Sequence, residues 1–212
     1  MLKNIKKILI ISPHADDEIL GCGGMISKFS KFHIDVLICS NASIGAPELF
    51  SEKQIKKVRD EAKKCHQFLK IKKTFFLDLP APQLDQFPVY KISNLIQKII
   101  LKNNYDTVFM PSNSDLHIDH KIIAHSTIVA TRPINKRKIN LISYETLSET
   151  EWGIFENDKS FIPNLFINLS KKDLDKKIKS FKIFKSQIKN ETHPRSSSGI
   201  KLLAENRGKL IG

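Results

Sequence analysis

The chain of 212 residues carries 35 lysines and arginines against 22 aspartates and glutamates, a formal net charge of +13, and 41% of its residues are hydrophobic. This length suits a single domain over residues 1–212 with one sizeable core, and no stretch approaches the ~18 uninterrupted apolar residues of a membrane span. The lysines are spread along the chain without a recognition helix, an RNP motif or a zinc finger, so the composition argues against specific nucleic-acid binding and favours a solvated, lysine-rich surface.

The start of the chain and its cysteines indicate a cytoplasmic protein. The apolar run between Lys7 and Pro13 is too short for the core of a signal peptide, and no small-residue cleavage site follows it. Cys22, Cys39 and Cys65 lie far apart without a CxxC motif, which predicts reduced thiols. The positive charge would steer an anionic substrate, such as a phosphorylated or nucleotide-linked molecule, toward the protein.

Short β-rich blocks alternate with longer amphipathic stretches along the chain. Strands are predicted, in chain order, at Ile8–Ser12, Ile34–Ser40, Thr74–Leu79, Thr107–Met110, Asn140–Tyr144 and Leu165–Asn168. Helical spacing of apolar residues predicts helices over Glu18–Phe32, Ser51–Leu69, Val89–Leu101, Ile118–Ala130, Leu174–Phe184 and Ser196–Arg207. The segment Leu147–Pro163 is long and lacks periodicity, so we expect it to be the most mobile part. The alternation predicts an α/β fold, a Rossmann-like, doubly wound, mostly parallel sheet with helices on both faces.

A polar motif, PHADDE, directly follows the first predicted strand. Ligands of open α/β sheets bind beyond the carboxyl ends of the strands, where the strand order reverses. His14 and Asp17 are three residues apart, so at a helix start they can converge on one point, and a histidine nitrogen with a carboxylate oxygen is a normal ligand pair for zinc. Asp16 faces elsewhere but stays close to the metal, which suits a general base for metal-bound water.

A second motif, HIDH, directly follows the fourth predicted strand. If the strand order reverses between the first and fourth strands, the two motifs become neighbours in space. His120 then completes a set of three ligands with His14 and Asp17, which leaves one coordination position open, as in catalytic zinc sites. His117 stays free to donate a proton or to stabilise an oxyanion, and Asp119 is placed to orient that imidazole and to raise its pKa.

Each motif alone also has a structural explanation, because acidic residues stabilise helix starts and histidines often cap loops. The pair, with each motif placed after a predicted parallel strand, favours a zinc-dependent hydrolase. Other conspicuous residues are interpreted structurally. Gly21–Gly24 would let the first helix pack closely, and Ser196–Ser198 would form a helix N-cap. Three histidines are interpreted as surface or core residues: His33, His66 and His125.

With these motifs the chain resembles the PIG-L/LmbE family of zinc-dependent N-acetylglucosamine-type deacetylases. The resemblance extends over most of the chain, through the segments Pro13–Gly24, Arg59–Ala62, Asp115–His120, Pro163–Phe166, His193–Ser196 and Asn206–Gly208. It implies a hydrolase that removes an acetyl group from the amino group of a sugar. It also implies one zinc ion per chain, bound by His14, Asp17 and His120.

The resemblance further implies roles for the remaining site residues. Asp16 is the base that activates the zinc-bound water. His117, oriented by Asp119, stabilises the oxyanion and protonates the departing amine. Arg59 and Arg195 are expected to meet the polar part of the substrate. The partner is then a small N-acetylated sugar, with nucleotide- and lipid-linked forms included, and a homo-oligomer is compatible with the sequence.

Two other functions stay open on the sequence. Asp16 with Asp17 and Asp119 with His120 could bridge two ions in a two-metal phosphoesterase, although such sites usually need more carboxylates. A sugar- or nucleotide-binding module with a relict metal site is the non-enzymatic alternative. Release of acetate, release of phosphate and binding without turnover distinguish the three.

Overall fold

A computed structural model describes residues 5–133, 138–153 and 160–212. Five strands form one sheet: β1 Lys7–Ser12, β2 His33–Asn41, β3 Lys73–Pro80, β4 Thr107–Pro111 and β5 Asn140–Tyr144. The helices are α1 Asp17–Lys28, α2 Ala42–Gly45, α3 Glu52–Leu69, α4 Val89–Asn103, α5 Ile118–Ala130, α6 Lys171–Phe181 and α7 Ser197–Lys209. These bounds agree with the predicted ones to within a few residues, as helix ends usually do.

All strand pairs are parallel, and the strand order is β3-β2-β1-β4-β5. The order reverses at β1, which pairs with β2 on one side and with β4 on the other. The condition under which the two motifs become neighbours, a reversal between the first and fourth strands, is therefore met. This reversal brings the loops after β1 and β4 together at the C-terminal edge of the sheet, where ligands of such folds bind.

Two apolar clusters, one on each face of the sheet, form the core. Along β1, Ile8 and Ile10 belong to the first cluster and Leu9 and Ile11 to the second, because successive strand side chains point to opposite faces. Residues of α1, α3, α6 and α7 complete the first cluster. Residues of α4 and α5 complete the second, so helices cover both faces as predicted.

The strand predicted at Leu165–Asn168 is wrong, because this segment runs beside α1 without joining the sheet. Its β-rich side chains pack against the helix layer instead. Ile167 contacts the first core cluster, Leu169 lies next to Gly24, and Lys28 donates a hydrogen bond to the carbonyl oxygen of Asn168. Burial against a helix therefore overrides the strand propensity of the segment.

Residues 154–159 of the excursion Leu147–Pro163 lie outside the described residues. In the preceding part, the backbone N–H of Gly153 donates to Glu149. All three cysteines are buried and free. Within the described ranges, no helix is both long enough and apolar enough to cross a membrane.

Candidate active site

The turn between β1 and α1 holds the first motif in an unusual backbone conformation. Asp16 is the N-cap of α1 with φ 149° and ψ −26°, a region that residues with a Cβ rarely adopt, at a cost of about 1–3 kcal/mol. The carbonyl oxygen of Asp16 accepts the first helical hydrogen bonds, from the backbone N–H groups of Ile19 and Leu20. The strained residue thus lies at the point where the sheet edge meets the helix, which is where a site is expected.

Three of the predicted ligands converge at this edge. The Nδ1 atom of His14 lies 3.2 Å from the Oδ2 atom of Asp17, and the Nε2 atom of His120 lies 3.1 Å from the same oxygen. The two nitrogens are 3.3 Å apart. The three atoms therefore form a nearly equilateral triangle, although His120 comes from the second motif, more than a hundred residues further along the chain.

The triangle has the size that a tetrahedral metal ion requires. With metal–ligand distances of about 2.0 Å, the ligand atoms of a tetrahedral zinc ion lie about 3.3 Å apart. The Oδ1 atom of Asp17 is buried and has no hydrogen-bond partner among the described residues. Once the two imidazoles have lost the protons on these nitrogens, the three atoms that face one another are all acceptors, and a cation between them would satisfy all three. His14, Asp17 and His120 consequently fit a divalent metal ion.

A second trio of side chains, His14, His117 and Asp119, is also close enough to hold an ion. It shares His14 with the first trio and would use the opposite ring nitrogen, which lies 3.2 Å from Asp119. The Oδ1 atom of Asp119 already accepts a hydrogen bond from the backbone N–H of Leu84. We therefore assign the metal to the first trio and interpret Asp119 as a partner of His14.

Both imidazoles of the triangle present their second nitrogen to a carboxylate. The Nε2–H group of His14 donates to Asp119 at 3.2 Å, and the Nδ1–H group of His120 donates to Asp115 at 2.8 Å. Asp115 is itself held by the hydroxyl of Thr150 at 2.6 Å. Such partners fix the tautomer and the orientation of a metal-binding histidine. Asp119 thus supports His14 through its carboxylate, a partner different from the His117 imidazole expected from the sequence.

The charges of the triangle are strongly coupled. Burial by itself would lower the pKa of His14, but hydrogen bonds to Asp119 and Asp17 raise it to about 9. Burial would likewise lower the pKa of His120, but Asp17 and Asp115 raise it to about 10. Burial would raise the pKa of Asp17, yet the two histidines hold it well below its ordinary value. Without a metal, protons on the histidines supply the positive charge that the carboxylates require.

Asp16 is buried beside the triangle and has a partner of its own. Its Oδ2 atom lies 3.2 Å from the Nη1 atom of Arg195. The other two guanidinium nitrogens of Arg195 donate hydrogen bonds to Ser148 and Glu149. Burial raises the pKa of Asp16 to about 7, and the charge of Arg195 opposes that rise. Arg195 was expected to meet the substrate. The structure instead brings it to the predicted base, 179 residues away in sequence.

His117 lies next to the triangle, with its ring centroid 4.7 Å from that of His14. It is the N-cap of α5, and its Nδ1 atom accepts a hydrogen bond from the backbone N–H of Asp119 at 3.1 Å. This contact leaves the proton of the neutral imidazole on Nε2. Burial and the charges of His14 and His120 lower the pKa of His117 to about 4, although Asp119 acts in the opposite direction. The expected net rise of this pKa is not observed.

Arg59 lies on α3, close to the C-terminal ends of β2 and β3. Its guanidinium pairs with the carboxylate of Asp78, contacts the carbonyl oxygen of Ser40 at 3.5 Å and lies 4.6 Å from the ring centroid of Phe76. The carboxylate of Asp78 is 48% exposed and also accepts from Asn41. The arginine is thus held by a partially exposed acid at the same edge of the sheet as the triangle.

Three residues of the site were missed by sequence reasoning: Asp115 and His66 are buried, and Glu149 is partly buried. Asp115 lies five residues before His120, a spacing that does not by itself suggest contact. Its position two residues before the HIDH motif is the signal that could have identified it. Glu149 lies in the aperiodic excursion and contacts Arg195. His66, interpreted as a surface or core residue, donates to Glu18 inside the first motif. The residues they contact lie in other parts of the chain, so only the folded structure shows which side chains meet.

Comparisons with known proteins identify a family and several relatives of the chain. The sequence profile of the family described as PIG-L: GlcNAc-PI de-N-acetylase matches residues 9–131. The diacetylchitobiose deacetylase of Thermococcus kodakarensis is 25% identical over 220 residues, which cover 99% of this chain and 80% of that protein. The solved structure of N,N'-diacetylchitobiose deacetylase from Pyrococcus horikoshii has a TM-score of 0.77 at 21% identity and covers 100% of this chain and 81% of that chain.

The same fold also carries a different reaction. The 4-carboxy-2-hydroxymuconate hydratase from Pseudomonas putida KT2440 has a TM-score of 0.70 at 18% identity, over 98% of this chain and 88% of that chain. Structural likeness at this identity establishes the fold alone, and a reaction has to be argued from the site. The family match spans both metal-binding motifs and more than half of the chain. The chain belongs to the PIG-L family of GlcNAc-PI de-N-acetylases.

Proposed function

We propose that the protein is a zinc-dependent hydrolase that removes the acetyl group from the amino group of an N-acetylated sugar. The observation that carries the proposal is the triangle of His14, Asp17 and His120, with ligand atoms 3.1–3.3 Å apart. Three protein ligands leave one coordination position open, as catalytic zinc requires. The curated relative named above is a deacetylase, and the family carries the same activity in its description.

Asp16 supplies the base. Bound zinc would lower the pKa of a coordinated water and polarise the amide carbonyl. The carboxylate of Asp16 takes a proton from the attacking water as the new carbon–oxygen bond forms. Burial raises the pKa of Asp16 to about 7 in the metal-free protein and so favours its protonated form, which would help it to hold that proton and return it to the amine nitrogen when the carbon–nitrogen bond breaks. Water and the acetamide are thereby converted into acetate and a free amine.

His117 stabilises the negative charge that develops on the carbonyl oxygen. Its Nε2–H group is a neutral hydrogen-bond donor, because Nδ1 is occupied by the backbone N–H of Asp119. A preorganised donor of this kind contributes about 3–4 kcal/mol to the transition state. In the metal-free protein, burial and the charges of His14 and His120 lower the pKa of His117 to about 4, and the charge of a bound metal ion would likewise oppose its protonation at neutral pH. We therefore move the acid role, expected for His117, to Asp16.

The two arginines have different roles. Arg195 orients Asp16 and keeps its carboxylate ionised, so it acts through the base instead of through the sugar. Arg59, together with the exposed carboxylate of Asp78, offers charged hydrogen-bond groups at the same edge of the sheet as the triangle and is our candidate for contact with sugar hydroxyls. Nucleotide- and lipid-linked N-acetylated sugars belong to the substrate class, since the net charge of +13 favours an anionic carrier.

A substrate panel tests this proposal. The zinc-loaded protein is incubated with N-acetylglucosamine, N,N'-diacetylchitobiose and UDP-N-acetylglucosamine, and acetate and free amine are quantified. We expect equimolar acetate and amine from at least one sugar, one zinc ion per chain, and no product from the zinc-bound variant Asp16→Asn. Phosphate release from p-nitrophenyl phosphate with two ions per chain would favour the phosphoesterase. Saturable sugar binding without turnover would favour the binding module.

A further inference from the structure

A buried chain of hydrogen bonds connects the first motif to α3 and β3. The carboxylate of Glu18 is fully buried, and its Oε1 atom lies 2.8 Å from the Nε2 atom of His66. The other nitrogen of His66, Nδ1, lies 2.7 Å from the hydroxyl of Thr74. His66 is itself only 3% exposed. A charged or neutral histidine in such surroundings needs both partners, because unpaired buried polar groups are unfavourable.

The far end of this chain of bonds reaches the backbone of Asp16. The Oε2 atom of Glu18 accepts the backbone N–H of Asp16 at 3.1 Å and the hydroxyl of Ser12 at 2.8 Å. The hydroxyl of Ser12 in turn accepts the backbone N–H of Glu18 at 3.1 Å. Glu18 therefore binds both sides of the turn in which Asp16 adopts a φ of 149°. A strained residue persists only where its surroundings hold it.

We propose that Glu18 and His66 form a positioning pair that holds the turn of Asp16 in its strained conformation and thereby aims the Asp16 carboxylate. This inference rests on the proposed role of Asp16 as the base. His66 touches neither the metal-binding triangle nor Asp16 within the described contacts, and it acts through Glu18. The Nε2–H group of His66 donates to Glu18, and Nδ1 accepts from the hydroxyl of Thr74, which fixes that tautomer.

A second buried acid on α3 provides the comparison that separates positioning from stability. Glu61 is 8% exposed and accepts hydrogen bonds from the hydroxyl and the backbone N–H of Ser186. It lies on the same helix as His66, but its partner belongs to the segment after α6. Loss of the Glu61 contact perturbs the packing of α3 without touching the first motif. Glu61 and His66 are therefore both buried residues of α3 with hydrogen bonds to other elements, and only His66 is connected to Asp16.

The experiment compares four variants of the full-length, zinc-loaded protein: His66→Leu, His66→Gln, Thr74→Val and Glu61→Gln. The substrate is the N-acetylated sugar that the wild type hydrolyses best, and kcat, KM, zinc content and Tm are measured. We expect His66→Leu to lose about tenfold or more in kcat, since small misplacements of a catalytic group are costly. KM and zinc content should stay within about twofold. His66→Gln, which retains a donor toward Glu18, should recover part of kcat.

Each result supports or overturns the inference. Thr74→Val leaves His66 in place but removes its tautomer partner, so a smaller loss of kcat is expected, and this variant serves if His66→Leu does not fold. Glu61→Gln should lower Tm while kcat stays near the wild-type value. An unchanged kcat in folded His66→Leu, or parallel losses of kcat and Tm in His66→Leu and Glu61→Gln, would overturn the pair as positioning residues. A wild type without acetate release would instead overturn the proposed function, and the inference with it.

Discussion

At the scale of single residues, the histidines of the site differ in what occupies their second nitrogen. His14 and His120 each donate to a carboxylate, whereas His117 accepts from a backbone N–H group. A carboxylate partner raises the basicity of an imidazole and suits it to a cation, and a backbone donor keeps an imidazole neutral. In the proposed mechanism, the same residue type would thus serve as a metal ligand in two positions and as a hydrogen-bond donor in the third.

The donor role of His117 leads to a first prediction. We expect His117→Asn to lower kcat by about 10²- to 10³-fold, the loss typical for an oxyanion donor, while zinc content is retained. Asparagine can still accept the Asp119 N–H group and so preserves the N-cap of α5. His117→Ala should lose the cap as well, with about 1 kcal/mol less stability. Steady-state kinetics with elemental analysis checks this, and a near-wild-type kcat in His117→Asn would remove the residue from the mechanism.

The contact between Arg195 and Asp16 leads to a prediction about pH. Burial raises the pKa of Asp16, and the guanidinium charge, 3.2 Å away, opposes that rise. Removal of the charge in Arg195→Gln should therefore raise the pKa of Asp16 further. Because the base acts only when it is deprotonated, the acidic limb of the kcat–pH profile should move to higher pH.

A bound zinc ion would lower the pKa of Asp16 in the wild type and in Arg195→Gln alike, so the difference in pKa between the two proteins should remain. Arg207→Gln is the matched control, since Arg207 pairs with Glu145 at 2.7 Å and makes no described contact with Asp16. Its acidic limb should coincide with that of the wild type. An unshifted limb in Arg195→Gln would show that the guanidinium does not control the base.

At the scale of elements, α1 combines the metal-binding turn with a closely packed glycine face. A Cβ atom at Gly21 would overlap the ring of Tyr144, which is buried and donates a hydrogen bond from its hydroxyl to the carbonyl oxygen of Ile11. The glycine lets α1 approach β5 closely enough for this contact. The start of α1, and with it the first motif, is thereby fixed against the sheet.

We expect Gly21→Ala to lower the free energy of unfolding by about 1–3 kcal/mol, the usual cost of overpacking a core. Gly208→Ala on α7 is the control, because nothing lies within 4 Å of its added Cβ. That substitution should be neutral or should gain up to about 1 kcal/mol from helix propensity. Urea unfolding measures both. Equal stability of the two variants would contradict the close packing of α1 on Tyr144.

At the scale of the whole molecule, a metal ion would link two halves of the chain that are covalently far apart. The first motif follows β1 and the second follows β4, so one ion joins both sides of the strand reversal. Without the ion, protons on His14 and His120 supply the positive charge beside Asp17, and a bound cation would replace them. Metal binding and folding should therefore be coupled, since an ion that binds only the folded state stabilises it.

This coupling gives a prediction for thermal unfolding. Zinc at about 100 times its Kd should stabilise the protein by about 2.7 kcal/mol, and a chelator should reverse the rise in Tm. His120→Ala should lose the zinc-dependent rise, whereas His125→Ala, an exposed position on the same helix, should keep it. A Tm independent of zinc in the wild type would contradict the metal site.

The zinc-dependent rise in Tm should depend on pH. In the metal-free protein the pKa values of His14 and His120 are raised to about 9 and about 10, so both imidazoles are protonated at neutral pH. Zinc must displace these protons, and its affinity therefore grows as pH rises and falls as pH drops. The Tm difference between zinc-loaded and chelated protein, measured from pH 6 to pH 9, should follow that direction.

Much of this molecule was readable from the sequence because the relevant patterns are local. Helix bounds, five of six strands and the HxxD and HxxH spacings depend on residues a few positions apart, and α5 was predicted over the residues that form it. On the sequence alone, the reversal of strand order between the first and fourth strands was only a condition for joining the two motifs, and the order itself is known from the folded sheet. The failed strand at Leu165–Asn168 was also a local pattern, but packing on α1 outweighed it.

The partners of the site residues were decided by tertiary structure alone. Asp119 supports His14, and Arg195 holds Asp16, across 105 and 179 residues of sequence. Such pairings depend on the direction of each side chain and on the desolvation of each charge after the elements have packed, which spacing along the chain does not encode. The sequence by itself thus determined which residues meet at the sheet edge. The packed fold determined which side chain is the hydrogen-bond or ion-pair partner of each of them.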